Sequence, residues 1–138
     1  MTFSKYFLIF MAMFPLKLFA HGEDKLGPHG GFIRMPGAFH TEVLQKNGNL
    51  FVYILDVTWK DPQTENSSVE AFLKKNGKES SLVCSAKKDV FQCTLPRNEK
   101  LEAGELIVKG KRGTVPPGVA IYDLPLRLAV VNDGHGNH

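Results

Sequence analysis

The residues most able to do chemistry are five histidines, His21, His29, His40, His135 and His138, and they cluster in the two terminal segments and on the first clear strand. A neutral imidazole presents one nitrogen lone pair, the donor that copper and zinc take most readily from a protein. His29 stands in Gly27-Pro28-His29-Gly30-Gly31. The flanking glycines give it little steric cover and let backbone approach a ligand closely. A strand over 39–44 puts Phe39, Thr41 and Val43 on one face and His40 and Glu42 on the other, so Glu42 joins the candidate ligands. His135 and His138 end the chain in a polar tail. Each has a plainer reading: His29 as a turn residue, His40 as a surface residue paired with Glu42, the tail histidines as solvated side chains.

His21 matters because of what precedes it. Lys5, an apolar run from Tyr6 to Leu16, and Lys17-Leu18-Phe19-Ala20 read as the parts of a secretory signal peptide over residues 1–20. The run is too short to cross a hydrocarbon core comfortably, so no stable membrane insertion is expected after cleavage. A cut after Ala20 makes His21 the first residue, and its α-amine and imidazole can together brace one copper ion. The cut also removes Lys5 and Lys17 from the 17 basic residues, which lowers the formal charge from +3 to +1. A nearly neutral domain gives no basis for a nucleic-acid partner. The expected organisation is a leader over 1–20, a domain over 21–131 and a His-containing tail over 132–138, in a periplasmic or secreted protein.

The elements that must position these groups read as strands. Asn47-Gly48 and Asn76-Gly77 are hairpin turns that accept positive φ, each between runs of alternating polarity. Strands are expected over 39–44, 50–58, 69–74, 78–84, 90–95, 105–109, 119–122 and 126–131. No window keeps a helical apolar stripe, and residues 98–103 offer at most one turn. The fold class is all-β: an antiparallel β-sandwich of immunoglobulin-like type with seven or eight short strands, a small barrel being the alternative.

Cys84 and Cys93 lie on the two arms of a hairpin with residues 85–89 at its tip, and in an oxidising compartment they are expected to form a disulfide. A thiolate metal site or a redox pair is the alternative, although the spacing is not Cys-x-x-Cys.

Gly27-Pro28-His29-Gly30-Gly31, followed by an apolar residue and then Phe39-His40-Thr41-Glu42-Val43, resembles a module of small exported bacterial proteins. It is similar also to the start of the N-terminal β-domain in periplasmic adaptors of cobalt-zinc-cadmium and copper efflux systems. The resemblance covers most of 27–131 in pattern and about the first twenty of those residues in specific identities. It implies a periplasmic role in handling heavy-metal ions and carries over to His29 and His40. The chain lacks the adaptors' coiled-coil hairpin and lipoyl-like halves, which implies a soluble accessory that meets an efflux component.

No enzyme is expected. Ser85-Ala86-Lys87-Lys88 matches a Ser-x-x-Lys pattern but lies on a hairpin tip without a partner motif, and no nucleophile elbow, phosphate loop or His-Glu-x-x-His helix is present. The expected function is capture or delivery of copper or zinc, with His21, His29, His40, Glu42, His135 and His138 as candidate ligands. The alternative is a non-catalytic adhesion or assembly module whose contacts lie near Trp59-Lys60-Asp61-Pro62 and Val115-Pro116-Pro117-Gly118.

Overall fold

A computed structural model describes residues 24–129. The leader, His21, His135 and His138 lie outside the described residues.

Nine strands form two antiparallel sheets: β1 (Phe32–Gly37), β2 (Phe39–Lys46), β3 (Asn49–Leu55), β4 (Ser68–Lys75), β5 (Lys78–Ser81), β6 (Val83–Lys87), β7 (Val90–Thr94), β8 (Glu105–Lys111) and β9 (Gly118–Asp123). One sheet runs β1-β2-β3-β7-β6 and the other β5-β4-β8-β9, with no helix among the described residues. The two-sheet antiparallel sandwich is therefore present. Both Asn-Gly pairs have positive φ at both positions, the type I′ geometry that matches the twist of the strands they join. The first turn sets Lys46 opposite Asn49, and with it Glu42 opposite Tyr53 and His40 opposite Leu55.

Three expectations are corrected. The run 78–84 is two strands, because the chain leaves one sheet and enters the other at Leu82. That side chain is buried, and its N–H donates to the Ala71 carbonyl at 2.9 Å. A strand that the alternation did not mark, β1, pairs with β2. The run expected at 126–131 forms no strand up to Ala129; residues 130 and 131 lie outside the described part.

The core fills the space between the sheets. Phe39, Val43, Leu50, Val52, Ile54, Phe91 and Cys93 face Val69, Ala71, Leu73, Leu106, Val108, Ala120 and Tyr122. Cys84 and Cys93 are opposed in register and joined by the expected disulfide, which ties edge strand β6 to β7. Tyr122 crosses the sandwich. Its hydroxyl lies 2.6 Å from Thr41 Oγ1 and donates toward the carbonyls of Thr41 and Phe32, so a buried phenol links β9 to β1 and β2. Arg34 covers the Tyr122 ring at 4.6 Å. Its guanidinium also donates to the Ile121 and Arg127 carbonyls, which holds the last described segment beside β1.

Candidate functional site

Strand β2 is unusual because every residue from Phe39 to Val43 is buried, on both faces. Phe39 and Val43 enter the core and Thr41 meets Tyr122, as alternation requires. The other face turns away from the opposite sheet and still excludes water, because two loops fold over it. Residues 27–31 cover Glu42, and the turn after β3 covers His40.

Glu42 has no exposed surface. Its Oε1 accepts the main-chain N–H groups of His29 at 2.7 Å and Gly31 at 3.0 Å, and its Oε2 lies 2.7 Å from His29 Nδ1. Three donors around one carboxylate answer the desolvation that burial imposes on it. The glycines follow from this arrangement. A Cβ on Gly27 would lie 2.5 Å from Glu42 Cδ and 2.6 Å from Ile33 Cδ1, and one on Gly31 would lie 2.8 Å from both Glu42 Cγ and the Val43 carbonyl oxygen. Gly30 turns the segment with φ +79°. The group that the backbone approaches so closely is thus the chain's own carboxylate.

His29 is also held from the side. The Tyr53 ring stacks on it with centroids 3.6 Å apart and planes 2° from parallel, and Tyr53 stands opposite Glu42 in the β2–β3 register. Burial, and then the charges of Asp89 and Glu42, push the Tyr53 phenol above its ordinary pKa. With Nδ1 donating to a carboxylate, the neutral imidazole carries its lone pair on Nε2, and the His29 side chain remains 30% exposed. A histidine oriented by a carboxylate through one nitrogen and open at the other is the arrangement found at ligating histidines generally.

His40 is 3% exposed and has a different partner. Its Nδ1 donates to the Asp56 carbonyl at 3.0 Å, and Trp59 meets its ring edge-on at 6.0 Å. The Asp56 carboxylate closes that turn. Oδ1 accepts from the Thr58 and Lys60 N–H groups and from the Thr58 hydroxyl, and these bonds hold the carboxyl below its ordinary pKa, led by the hydroxyl.

Glu42 therefore pairs with His29, and His40 with main chain, so the two do not form a surface pair. Among the described residues no three His, Cys, Asp or Glu side chains come close enough together to hold an ion. Tyr53 and Asp56 carry no chemical signature in the sequence, and Trp59 stood out there only as a contact residue. The signal for Tyr53 was the Asn47-Gly48 turn, which fixes the pairing that sets it beside Glu42. No family model, curated protein or solved structure matches the chain.

Proposed function

We propose that the protein binds a transition-metal ion, copper first and zinc second, through Nε2 of His29, and serves in an exported compartment to capture or deliver that ion. The observation that carries this reading is the 2.7 Å contact between His29 Nδ1 and Glu42 Oε2, which favours the tautomer with its lone pair on Nε2 in a side chain that is 30% exposed. Glu42 is then the orienting carboxylate and not itself a ligand, since its oxygens are taken by three donors. His21 and the tail histidines His135 and His138 are the further nitrogen donors. A free amine and imidazole at His21 would add two of them from one residue. Arg34 of β1 donates to the Arg127 carbonyl, so residues near the end of the described part lie beside the strand that pairs with β2. The likeness of residues 27–43 to efflux adaptors suggests an efflux component as the partner that receives the ion.

Titration of the secreted protein with Cu²⁺ and Zn²⁺, beside a His21→Ala/His29→Ala variant, tests this. Sub-micromolar binding, on the order expected of a multi-nitrogen site, should disappear in the variant; equal weak binding by both proteins would remove the proposal. Mass spectrometry of the secreted protein should find His21 at its N-terminus.

One observation favours the interaction-module reading. Phe72, Ile107 and Ile121 make a cross-strand row on the outer face of the four-stranded sheet, and Ile121 and Val119 are about half exposed. Arg34 takes the Ile121 carbonyl, so a partner there would be met by side chains and not by an added strand. A charged residue at Ile121 would abolish such an association and leave metal binding unchanged.

A further inference from the structure

The outer face of the four-stranded sheet carries a regular pattern of charge. Between the core residues of β4, β8 and β9 alternate Glu70, Phe72 and Lys74, then Glu105, Ile107 and Lys109, then Val119, Ile121 and Asp123. The strand register aligns them in three rows across the sheet. Glu70, Lys109 and Val119 make the first, Phe72, Ile107 and Ile121 the second, and Lys74, Glu105 and Asp123 the third. An apolar row therefore runs between two charged ones. On β4 and β8 the four charges form a checkerboard about it, minus beside plus in the first row and plus beside minus in the third.

Opposite charges on neighbouring strands support a sheet, yet none of the ion pairs among the described residues involves Glu70, Lys74, Glu105 or Lys109. Lys109 Nζ stands instead over the Phe72 ring at 5.0 Å. A checkerboard of this kind is complementary to itself. A twofold axis along the apolar row turns a second copy over so that each strand stacks on its own counterpart in the opposite direction. Phe72, Ile107 and Ile121 then meet their equivalents, Lys74 faces Glu70 of the second copy, and Glu105 faces Lys109 of that copy; symmetry makes each pairing twice. An axis along the strands also opposes these four charges, but it sets Asp123 over Glu79, which stands opposite Lys74 on β5. Like charges brought together there disfavour it.

We infer that the protein pairs with a second copy of itself, face to face through the outer side of the β5-β4-β8-β9 sheet, about a twofold axis along Phe72, Ile107 and Ile121. The inference gives the interaction-module reading of this face its partner and rests on that reading. It is independent of metal binding, because His29 and Glu42 lie on the outer side of the other sheet. Four strands about 4.8 Å apart and five residues at about 3.4 Å each present about 300–400 Å² per copy. Two such faces fall below the roughly 1,200 Å² of standard specific complexes, so the dimer is weak and forms with rising concentration.

Sedimentation equilibrium of the purified protein from about 10 μM to about 1 mM tests this, with EDTA present so that no metal bridge holds copies together. The mass should rise with concentration toward that of two chains. Lys74→Glu sets like charges at two symmetric contacts and should weaken dimerisation by about tenfold or more. Adding Glu70→Lys exchanges the facing pair and should restore the affinity to within about threefold of the wild type. Within one sheet the same double variant has like charges at both cross-strand pairs. A role in sheet pairing alone therefore predicts a melting temperature lowest in the double variant and no change of mass in either. Melting curves beside the sedimentation runs separate the two cases. A wild type that stays monomeric at about 1 mM overturns the inference but not the broader reading, which then requires a different protein on the same row. A Lys74→Glu variant that dimerises like the wild type, or a double variant no tighter than the single one, would each overturn it as well.

Discussion

His29 is bound to Glu42 twice, once through its main-chain N–H at 2.7 Å and once through its ring Nδ1 at 2.7 Å, so a single buried carboxylate fixes both the backbone and the tautomer of one histidine. Everything distinctive about residues 27–31 serves that double contact. The segment is a lid over a charge, and the charge decides which nitrogen of the His29 ring carries the proton.

Glu42→Gln separates these two roles. The amide oxygen can still accept the His29 and Gly31 N–H groups, but the amide NH₂ now faces Nδ1 and favours the opposite tautomer, with the proton on Nε2. Metal affinity at His29 should fall about 10–100-fold, the usual consequence of losing an orienting carboxylate. Stability should fall by about 1–3 kcal/mol. Calorimetric titration together with thermal melting checks both numbers, and a variant that binds as tightly as the wild type would show that Glu42 does not set the tautomer.

Gly27→Ala tests the lid directly. The added methyl meets Glu42 Cδ and Oε1 at 2.5 Å, and neither a buried carboxylate nor the adjacent Ile33 can retreat into a filled space. Overpacking of this kind costs about 1–3 kcal/mol. The same substitution at Gly48, where nothing lies within 4 Å, should cost only the strain of its positive φ. A comparison of urea midpoints for the two variants, with amide exchange at His29 and Gly31, distinguishes the mechanisms: only Gly27→Ala should deprotect those two amides.

The turn over His40 should loosen in acid. Hydrogen bonds from Thr58 and Lys60 hold the Asp56 carboxyl below its ordinary value, so the folded state binds this proton more weakly than the unfolded chain does. The resulting stabilisation is present above the unfolded pKa of about 3.9 and is lost as pH falls through the lower folded value. The Asp56 carboxylate is open to solvent, so a local effect is expected and not global unfolding. Trp59 emission should change as pH drops below about 4, and Asp56→Asn, which keeps the acceptor oxygen, should remove that transition. A change of equal size and midpoint in Asp56→Asn would assign it to another group.

Much of the frame is legible in the amino-acid order alone. The two Asn-Gly turns set both hairpin registers, and the alternation in β3 and β4 marks the inner faces that meet in the core. The disulfide follows from two cysteines on facing arms of one hairpin. Burial on the second face of β2 is not legible. His40 and Glu42 alternate with core residues and so read as solvent-facing; only the three-dimensional return of residues 27–31 and 56–60 covers them. Strand β1 is hidden because Pro36 and Gly37 read as punctuation, when Pro36 belongs to the bulge opposite His40 and Gly37 pairs with Phe39. The role of His29 is half legible: its glycine setting signals a close approach, but Glu42 lies 13 residues away and its direction is a property of the fold.

The Cys84–Cys93 bond should secure one edge and little else. In β6 only Cys84 is shielded from solvent, and Val83 is 77% exposed, so the strand contributes almost no apolar burial of its own. The bridge closes a loop of nine-residue separation, for which chain entropy gives about 2–3 kcal/mol. The paired change Cys84→Ala/Cys93→Ala should lower stability by that amount, with a small further loss from the cavity at the buried Cys93 position. Its local effect should be larger. Amides of Val83–Lys87 should exchange with solvent far faster than before, while those of β2 and β3 remain protected, because the outer face of β2 is held by Glu42 and Asp56 and not by β6. Hydrogen exchange read by NMR separates this from a uniform weakening. Equal loss of protection across both sheets would mean that the disulfide supports the core itself, and the face of β2 that carries Glu42 and His40 would then depend on that bond.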